Sequence, residues 1–296
     1  MIRVDSLQKR FGNITAVDGI SFELQRGETF GLLGPNGAGK TTTINMMAGV
    51  LPPDSGVVTI DSEDDPTRTD LRIKMGNAPQ ALALYDELTA EENAVFFGRL
   101  YRLSGKTLNE RVENVLELVG LTDRRNSLVK TFSGGMKRRL NLACAIVHDP
   151  PVLLLDEPTV GVDPQSRNLI FDRIESLKTR GRTIIYTTHY MEEAQRLCDR
   201  VAIVDRGKIL ALDSVDGLIE AHGGDSVIEA ELDSVPENTD DLPGHLDGTS
   251  LRIETDRPLE AVANLTRNGL SFRKLHVHRA DLEAVFLNLT GRRLRD

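Results

Sequence analysis

Two patterns of apolar residues alternate along the chain. In the first, nearly every position of a short run is apolar or β-branched, as at Thr29–Leu33, 152–155 and 183–187. Such runs predict parallel strands buried on both faces. In the second, apolar positions recur at helical spacing. A stretch of this kind, Pro164–Thr179, joins two of the runs into a predicted βαβ unit. Residues 73–77 are also strand-like, and 201–204 and 208–210 flank the hairpin signal Asp205-Arg206-Gly207. From 88 to 147 helix follows helix, over 90–101, 108–119 and 135–147, which predicts a helical insertion into an α/β core.

Beyond Gly223-Gly224 the pattern changes again. Strand-like segments at 227–232, 251–253 and 272–277 surround a helix near 259–268. A last helix, over 281–289, runs into the basic pair Arg292-Arg293. These elements predict a small α+β domain at 223–296, following an α/β domain at 1–222 whose inserted helical part spans about 88–149.

Composition narrows the classes. Hydrophobic residues are 40% and charged residues 27%, a globular balance. The longest apolar runs fall far short of the roughly 18 residues that cross a bilayer. Arg3, Asp5, Lys9 and Arg10 interrupt the N-terminal stretch, so no signal peptide is expected. A net charge of −9 argues against a duplex nucleic-acid partner. Eleven Asp and Glu, and no Lys or Arg, lie between Lys208 and Arg252, so the rest of the chain is close to neutral. Two cysteines, Cys144 and Cys198, offer neither a disulfide framework nor a zinc site.

The candidate chemistry sits in the first domain. Gly34-Pro35-Asn36-Gly37-Ala38-Gly39-Lys40-Thr41 fits G-x-x-x-x-G-K-[ST] between a predicted strand and a predicted helix. Its glycines let several backbone N–H groups face one polyanion, and the helix that follows adds its positive end. Lys40 can reach terminal phosphates, Thr41 can ligate Mg²⁺, and Thr42 can touch the inner phosphate. The buried run 152–155 ends in Asp156 and Glu157, whose side chains diverge. Asp156 can then hold a Mg²⁺ shell while Glu157 faces an attacking water. The two motifs together imply Mg-nucleotide binding, and Glu157 points to hydrolysis. Further along, Ser133 is a natural N-cap, and Gly134 and Gly135 behind it leave N–H groups uncovered. By itself that turn reads equally as an ordinary capped helix.

With Phe132-Ser133-Gly134-Gly135-Met136 in this position, the sequence resembles the ATP-binding cassette family, the nucleotide-hydrolysing subunits of ABC transporters, whose signature reads L-S-G-G-Q. The resemblance covers residues from about 3 to 210. It implies a P-loop NTPase fold: a RecA-like core, an antiparallel β subdomain and the helical insertion. It matches Phe11 to an adenine-stacking aromatic, with a plain core position as the alternative. Gln80 matches a glutamine that senses Mg²⁺ and the membrane partner. Asp163 corresponds to a loop aspartate at the dimer interface, and before Pro164 it is also a good N-cap. His189 matches a histidine on the terminal phosphate. Catalytic roles thus fall to Glu157, His189, Lys40 and Gln80, and metal contacts to Thr41, Gln80 and Asp156.

The implied assembly is a head-to-tail homodimer in which Ser133, Gly134, Gly135 and Asp163 of one copy meet the nucleotide held by the other. It works with a separate integral-membrane permease at the cytoplasmic face of the membrane. Met136 and Thr159-Val160-Gly161-Val162 depart from the common pattern. With the ending Asp281-Leu282-Glu283-Ala284-Val285-Phe286 and Leu289-Thr290-Gly291, they resemble the daunorubicin-resistance export branch, which implies drug-like or lipid-like cargo. The alternative is a soluble regulatory ATPase of the same family. His276 and His278 alternate on one predicted strand and are expected to be solvated. Lys137, Arg138 and Arg139 are expected to form a solvated helix face.

Overall fold

In a computed structural model the described residues are 2–292 except 62, 64, 235–241 and 279. Arg293 and three of the eleven acids, Glu237, Asp240 and Asp241, lie outside them. The chain forms two compact units that meet at Val215/Asp216. The helix Val215–His222, which the sequence leaves in the first domain, is therefore grouped mostly with the second.

The first unit opens with β1 (Ile2–Phe11), β2 (Ile14–Leu24), β3 (Thr29–Leu33), α1 (Lys40–Met47) and β4 (Ser55–Ile60). A short α2 (Thr69–Arg72) and β5 (Met75–Ala78) lead to three helices, α3 (Ala90–Leu100), α4 (Gly105–Leu118) and α5 (Gly134–Ile146). Next come β6 (Val152–Asp156), α6 (Pro164–Thr179), β7 (Thr183–Thr188), α7 (Met191–Leu197), β8 (Arg200–Asp205) and β9 (Lys208–Ser214). The strand expected at 73–77 starts two residues later, because Leu71 and its neighbours close a helical turn first.

Two sheets share one core. The six-stranded sheet runs β5-β6-β7-β3-β8-β9, parallel except for the β8–β9 hairpin. All positions of β3, β6 and β7 are buried, as the uninterrupted apolar runs require. The three-stranded antiparallel sheet runs β2-β1-β4. Its inward residues Val4, Leu7, Ile20 and Leu24 pack in one cluster with Leu32, Leu154 and Ile185 of the large sheet and Met46 of α1. The helical insertion begins at a capping box in which Thr89 and Glu92 satisfy each other's backbone N–H groups.

Register decides where chemistry can happen. Leu33 of β3 is level with Thr188 of β7, Thr187 with Asp156 of β6, and Leu155 with Ala78 of β5. The residues that follow these strands therefore emerge side by side: the glycine turn, Glu157, His189 and Gln80. This is the carboxyl edge of the parallel strands, where ligands of such sheets bind.

The second unit holds α8 (Val215–His222), β10 (Ser226–Leu232), β11 (His245–Asp247), β12 (Ser250–Thr255), α9 (Pro258–Arg267), β13 (Phe272–His278) and α10 (Leu282–Thr290). Its antiparallel sheet runs β11-β12-β10-β13. One sheet face buries Ile228, Ala230, Leu251 and Ile253 beneath Leu265 of α9. Asp281 caps α10 by accepting from the Ala284 N–H at 2.9 Å. His276 and His278 are exposed, and no metal-binding cluster occurs among the described residues. No described helix is long and apolar enough to cross a membrane.

Cys144 and Cys198 are both buried, and desolvation pushes both thiols far above their usual range. Neither should react with an aromatic disulfide reagent in the folded protein at pH 8. Both should react in denaturant, and prompt labelling of the native chain would contradict this packing.

Candidate active site

The turn between β3 and α1 has the shape its glycines permit. Gly39 adopts φ 102° as the N-cap of α1, and a Cβ there would meet the Ala16 carbonyl. Gly34 passes so close to the Val204 carbonyl that a Cβ could not fit between them. Ala38 is buried behind the turn, where its carbonyl accepts from the Gly207 N–H at 3.0 Å. A cavity of about 420 Å³ opens in front. It is lined by Asn36, Gly37, Gly39, Lys40, Thr41 and Thr42, by Gln80 and Glu157, and on the rim by Phe11. Phe11 is 50% exposed, so it offers a ring face to this cavity rather than packing in the core.

Four side chains converge at the floor. Glu157 Oε1 lies 3.1 Å from Lys40 Nζ and 3.3 Å from His189 Nδ1. Its other oxygen accepts from Gln80 Nε2 at 3.0 Å. Lys40 also donates to the carbonyls of Gly34 at 2.7 Å and Pro35 at 3.1 Å. Lys40 and Glu157 are each only 4% exposed, so the ammonium and the carboxylate compensate each other away from water. Glu157 has φ 46°, a left-handed backbone that a glutamate adopts only where its surroundings hold it. The Thr187 carbonyl and hydroxyl both accept from the Glu157 N–H, at 3.2 and 3.0 Å.

Asp156 is buried beside them, and burial pushes its carboxyl above the usual range. It accepts from the Thr187 hydroxyl at 2.6 Å and lies within reach of the Thr41 hydroxyl. Thr41 and Asp156 thus bring hydroxyl and carboxylate oxygens together, and Gln80 lines the same cavity as Thr41. That donor set suits a hard divalent cation.

Ser133, Gly134, Gly135 and Asp163 do not line this cavity. They lie at two neighbouring helix starts instead, the Ser133-Gly134-Gly135 turn before α5 and Asp163 before α6. Ser133 caps α5 by accepting from the Met136 N–H at 3.3 Å, and Asp163 caps α6 by accepting from the Ser166 N–H at 2.9 Å. Bonds from the Ser166 N–H and hydroxyl hold the Asp163 carboxyl below its usual range. A Cβ on Gly135 would strike the Ser166 side chain, so the two helix starts approach closely only because Gly135 has none.

The basic run at the start of α5 is not a solvated face. Lys137 pairs with Asp86 at 2.8 Å, and Arg139 donates to the carbonyls of Val119 at 2.7 Å and Gly120 at 3.0 Å. Arg138 donates to the Gln80 carbonyl and, at 3.4 Å, to the Val160 carbonyl. Charge alone signalled solvent exposure. Packing of α5 against the Gln80 segment instead buries the stems and turns the heads onto backbone oxygens.

Other participants also escaped the sequence reading. Thr187 is the polar member of an apolar run, and only the strand register shows that it faces Asp156 and Glu157. Tyr85 forms an edge-to-face pair with Phe96 at 4.8 Å, and Phe96 another with Phe97 at 5.4 Å. Tyr85 is 49% exposed, so this aromatic group shows at the surface close to Gln80 in sequence.

Known proteins match this arrangement. The family described as ABC transporter matches residues 17–160. The linearmycin resistance ATP-binding protein of Bacillus subtilis is 42% identical over 311 aligned positions, covering all of both chains. The Nod factor export ATP-binding protein I of Burkholderia lata is 43% identical, over 98% of this chain and 97% of its own. Among solved structures, the ATP-binding subunit of an ABC transporter superposes with TM-score 0.68 at 30% identity, over 75% of this chain and 93% of its own. A dimeric ATP-binding cassette in a post-hydrolysis state with ADP and phosphate superposes with TM-score 0.66 at 26% identity, over 72% of this chain and 98% of its own.

Arg138→Met keeps the stem but leaves the Gln80 and Val160 carbonyls without their cationic donor. It should cost about 1.5–3 kcal/mol of stability, read from a urea midpoint. A midpoint equal to that of the unsubstituted chain would mean that Arg138 is solvated after all.

Proposed function

The chain belongs to the ABC transporter family, and we propose that it is the ATP-binding, ATP-hydrolysing subunit that powers export through a separate membrane permease. One observation carries the assignment of residues: Lys40, Gln80 and His189 all meet Glu157 at the end of β6, inside the glycine cradle.

Each side chain has a task that follows from its place. The N–H groups of the turn and of α1 bind the phosphate chain, and Lys40 meets its terminal oxygens. Phosphate oxygens compete with Glu157 for the Lys40 ammonium, which frees the carboxylate to take a hydrogen bond from water. Glu157 accepts the water proton as the oxygen attacks the terminal phosphorus and the bond to ADP breaks. Lys40 and His189 stabilise charge on the phosphoryl oxygens, and Gln80 orients Glu157. Phe11 stacks on the base. Thr41, Asp156 and Gln80 would hold Mg²⁺, which when bound neutralises phosphate charge.

The second turn completes the site from another copy. Ser133, Gly134 and Gly135 carry uncovered N–H groups at the start of α5, yet none lines this chain's own cavity. Two copies packed head to tail bring each turn to the other's terminal phosphate, with Asp163 at the seam. ATP therefore favours the closed pair through contacts that only the pair can make, and hydrolysis releases it.

The permease meets the surface of Tyr85, Phe96 and Phe97. Tyr85 lies five residues beyond Gln80, whose amide bonds Glu157, and Phe96 packs against Tyr85, so this segment passes motion from Glu157 toward them. Relatives named for linearmycin resistance and Nod factor export support export, with drug-like or lipid-like cargo, from the cytoplasmic face of the membrane. The second unit is a separate domain.

Glu157→Gln should bind ATP with unchanged affinity, lose about 10²–10⁴-fold in turnover and elute as a dimer with ATP in size-exclusion chromatography. Lys40→Ala should lose ATP affinity. A Glu157→Gln protein that stays monomeric and hydrolyses at the normal rate would overturn the assignment.

A further inference from the structure

Glu193 is a buried carboxylate of the first unit that takes three hydrogen bonds and has no part in the chemistry described above. It lies in the first turn of α7 at 2% exposure. Three hydroxyls donate to it: Thr159 to Oε1 at 2.7 Å, Thr188 to Oε2 at 2.7 Å, and Tyr186 to Oε2 at 2.9 Å. The Arg167 guanidinium of α6 lies nearby, its Nε 4.0 Å from Oε1. It also lies over the Tyr190 ring, 5.0 Å from the centroid.

The three donors belong to different parts of the site. Thr159 follows Glu157 by two residues and starts the turn that ends at Asp163; the Val162 N–H donates back to its carbonyl at 3.2 Å. Thr188 immediately precedes His189, and its hydroxyl also accepts from the Tyr190 N–H at 2.9 Å, so it grips the backbone on both sides of His189. Tyr186 points into the core from the middle of β7, where its hydroxyl also comes within hydrogen-bonding reach of the Thr159 side chain, but it belongs to neither loop. A carboxylate can accept several bonds at once, whereas an apolar residue of similar size would leave three buried hydroxyls unpaired.

We propose that Glu193 is a positioning residue that ties the Thr159–Asp163 turn to the His189 loop through one carboxylate, so that the group on the terminal phosphate and the segment at the dimer seam move together. The proposal rests on the roles assigned above to His189 and Asp163. Glu193 touches no nucleotide. Its effect on turnover runs through the two loops, and Tyr186 anchors it to the sheet.

The geometry separates this role from a merely structural one, because all three hydroxyls donate to Glu193 but only Thr159 and Thr188 adjoin the segments that carry Asp163 and His189. In the full-length protein, Thr159→Val and Thr188→Val should each lower kcat about three- to tenfold, with KM for ATP changed less than about twofold. Tyr186→Phe, which loses one donor to Glu193 but leaves the Thr159 and Thr188 hydroxyls bonded to it, should lower the melting temperature and leave kcat unchanged. Glu193→Gln should keep most of the turnover, because its amide oxygen can serve Thr188 and Tyr186 while the Thr159 hydroxyl turns to accept from the amide nitrogen. Glu193→Ala should lose it.

Equal losses of kcat in all three hydroxyl variants would overturn the proposal, as would lowered melting temperatures with kcat untouched in all three. Should Glu193→Ala fail to fold, the hydroxyl series decides alone. His189→Ala, measured in parallel, keeps the two failures apart. Normal turnover in His189→Ala would refute the role of His189 itself, while normal turnover in both threonine variants beside an inactive His189→Ala would refute only the coupling through Glu193.

Discussion

The alignment of four strand ends is the constraint from which the rest follows. Because β3, β7, β6 and β5 are in register at their carboxyl edge, the chain leaves the sheet at four adjacent points. A phosphate cradle, an acid pair, a histidine and a glutamine can then occupy one small volume although they lie far apart in sequence. A slip of one residue in any of these strands would turn its side chains to the opposite face of the sheet. The fully buried strands resist such a slip, since every position has apolar neighbours.

Within that volume Glu157 bears the largest cost. It is buried, charged and held in a left-handed backbone, and each of these features is offset by a specific contact. Lys40 balances the charge, Gln80 and His189 flank the carboxylate, and Thr187 secures the N–H while also donating to Asp156. Buried ion pairs contribute little net stability, but breaking one is expensive. The arrangement therefore suits a carboxylate that a phosphate can release from its lysine rather than one that serves only to hold the fold. Arg138 and Glu193 extend the same logic outward, fastening the Gln80 segment, the turn after Glu157 and the His189 loop to one another.

Much of this was legible in the sequence, for identifiable reasons. The buried runs, the cradle and the acid pair are local patterns whose chemistry dictates the residue types, so Lys40, Asp156 and Glu157 could be named from spacing alone. The ABC transporter family followed from the signature turn and its companions. What stayed hidden depends on tertiary packing. Arg138 reads as a solvated cation until α5 is seen against the Gln80 segment, and Glu193 reads as a helix-start acid until Thr159, Tyr186 and Thr188 surround it. Thr187 resembles any threonine in a β-branched strand. The small strand His245–Asp247 has too few residues to carry a periodic signal.

One cavity with half its phosphate ligands supplied by another copy is the central claim, and mixing two crippled chains tests it most directly. Lys40→Ala removes the cradle's cation, and Ser133→Glu places a negative charge at the second turn, so each chain alone should be inactive. In a mixed pair one site combines the intact cradle of one chain with the intact turn of the other. An equal mixture should thus recover about a quarter of the normal ATP turnover, since half the pairs are mixed and each holds one good site. Turnover no greater than the sum of the two separate chains, or full activity of Ser133→Glu by itself, would contradict a site shared between copies.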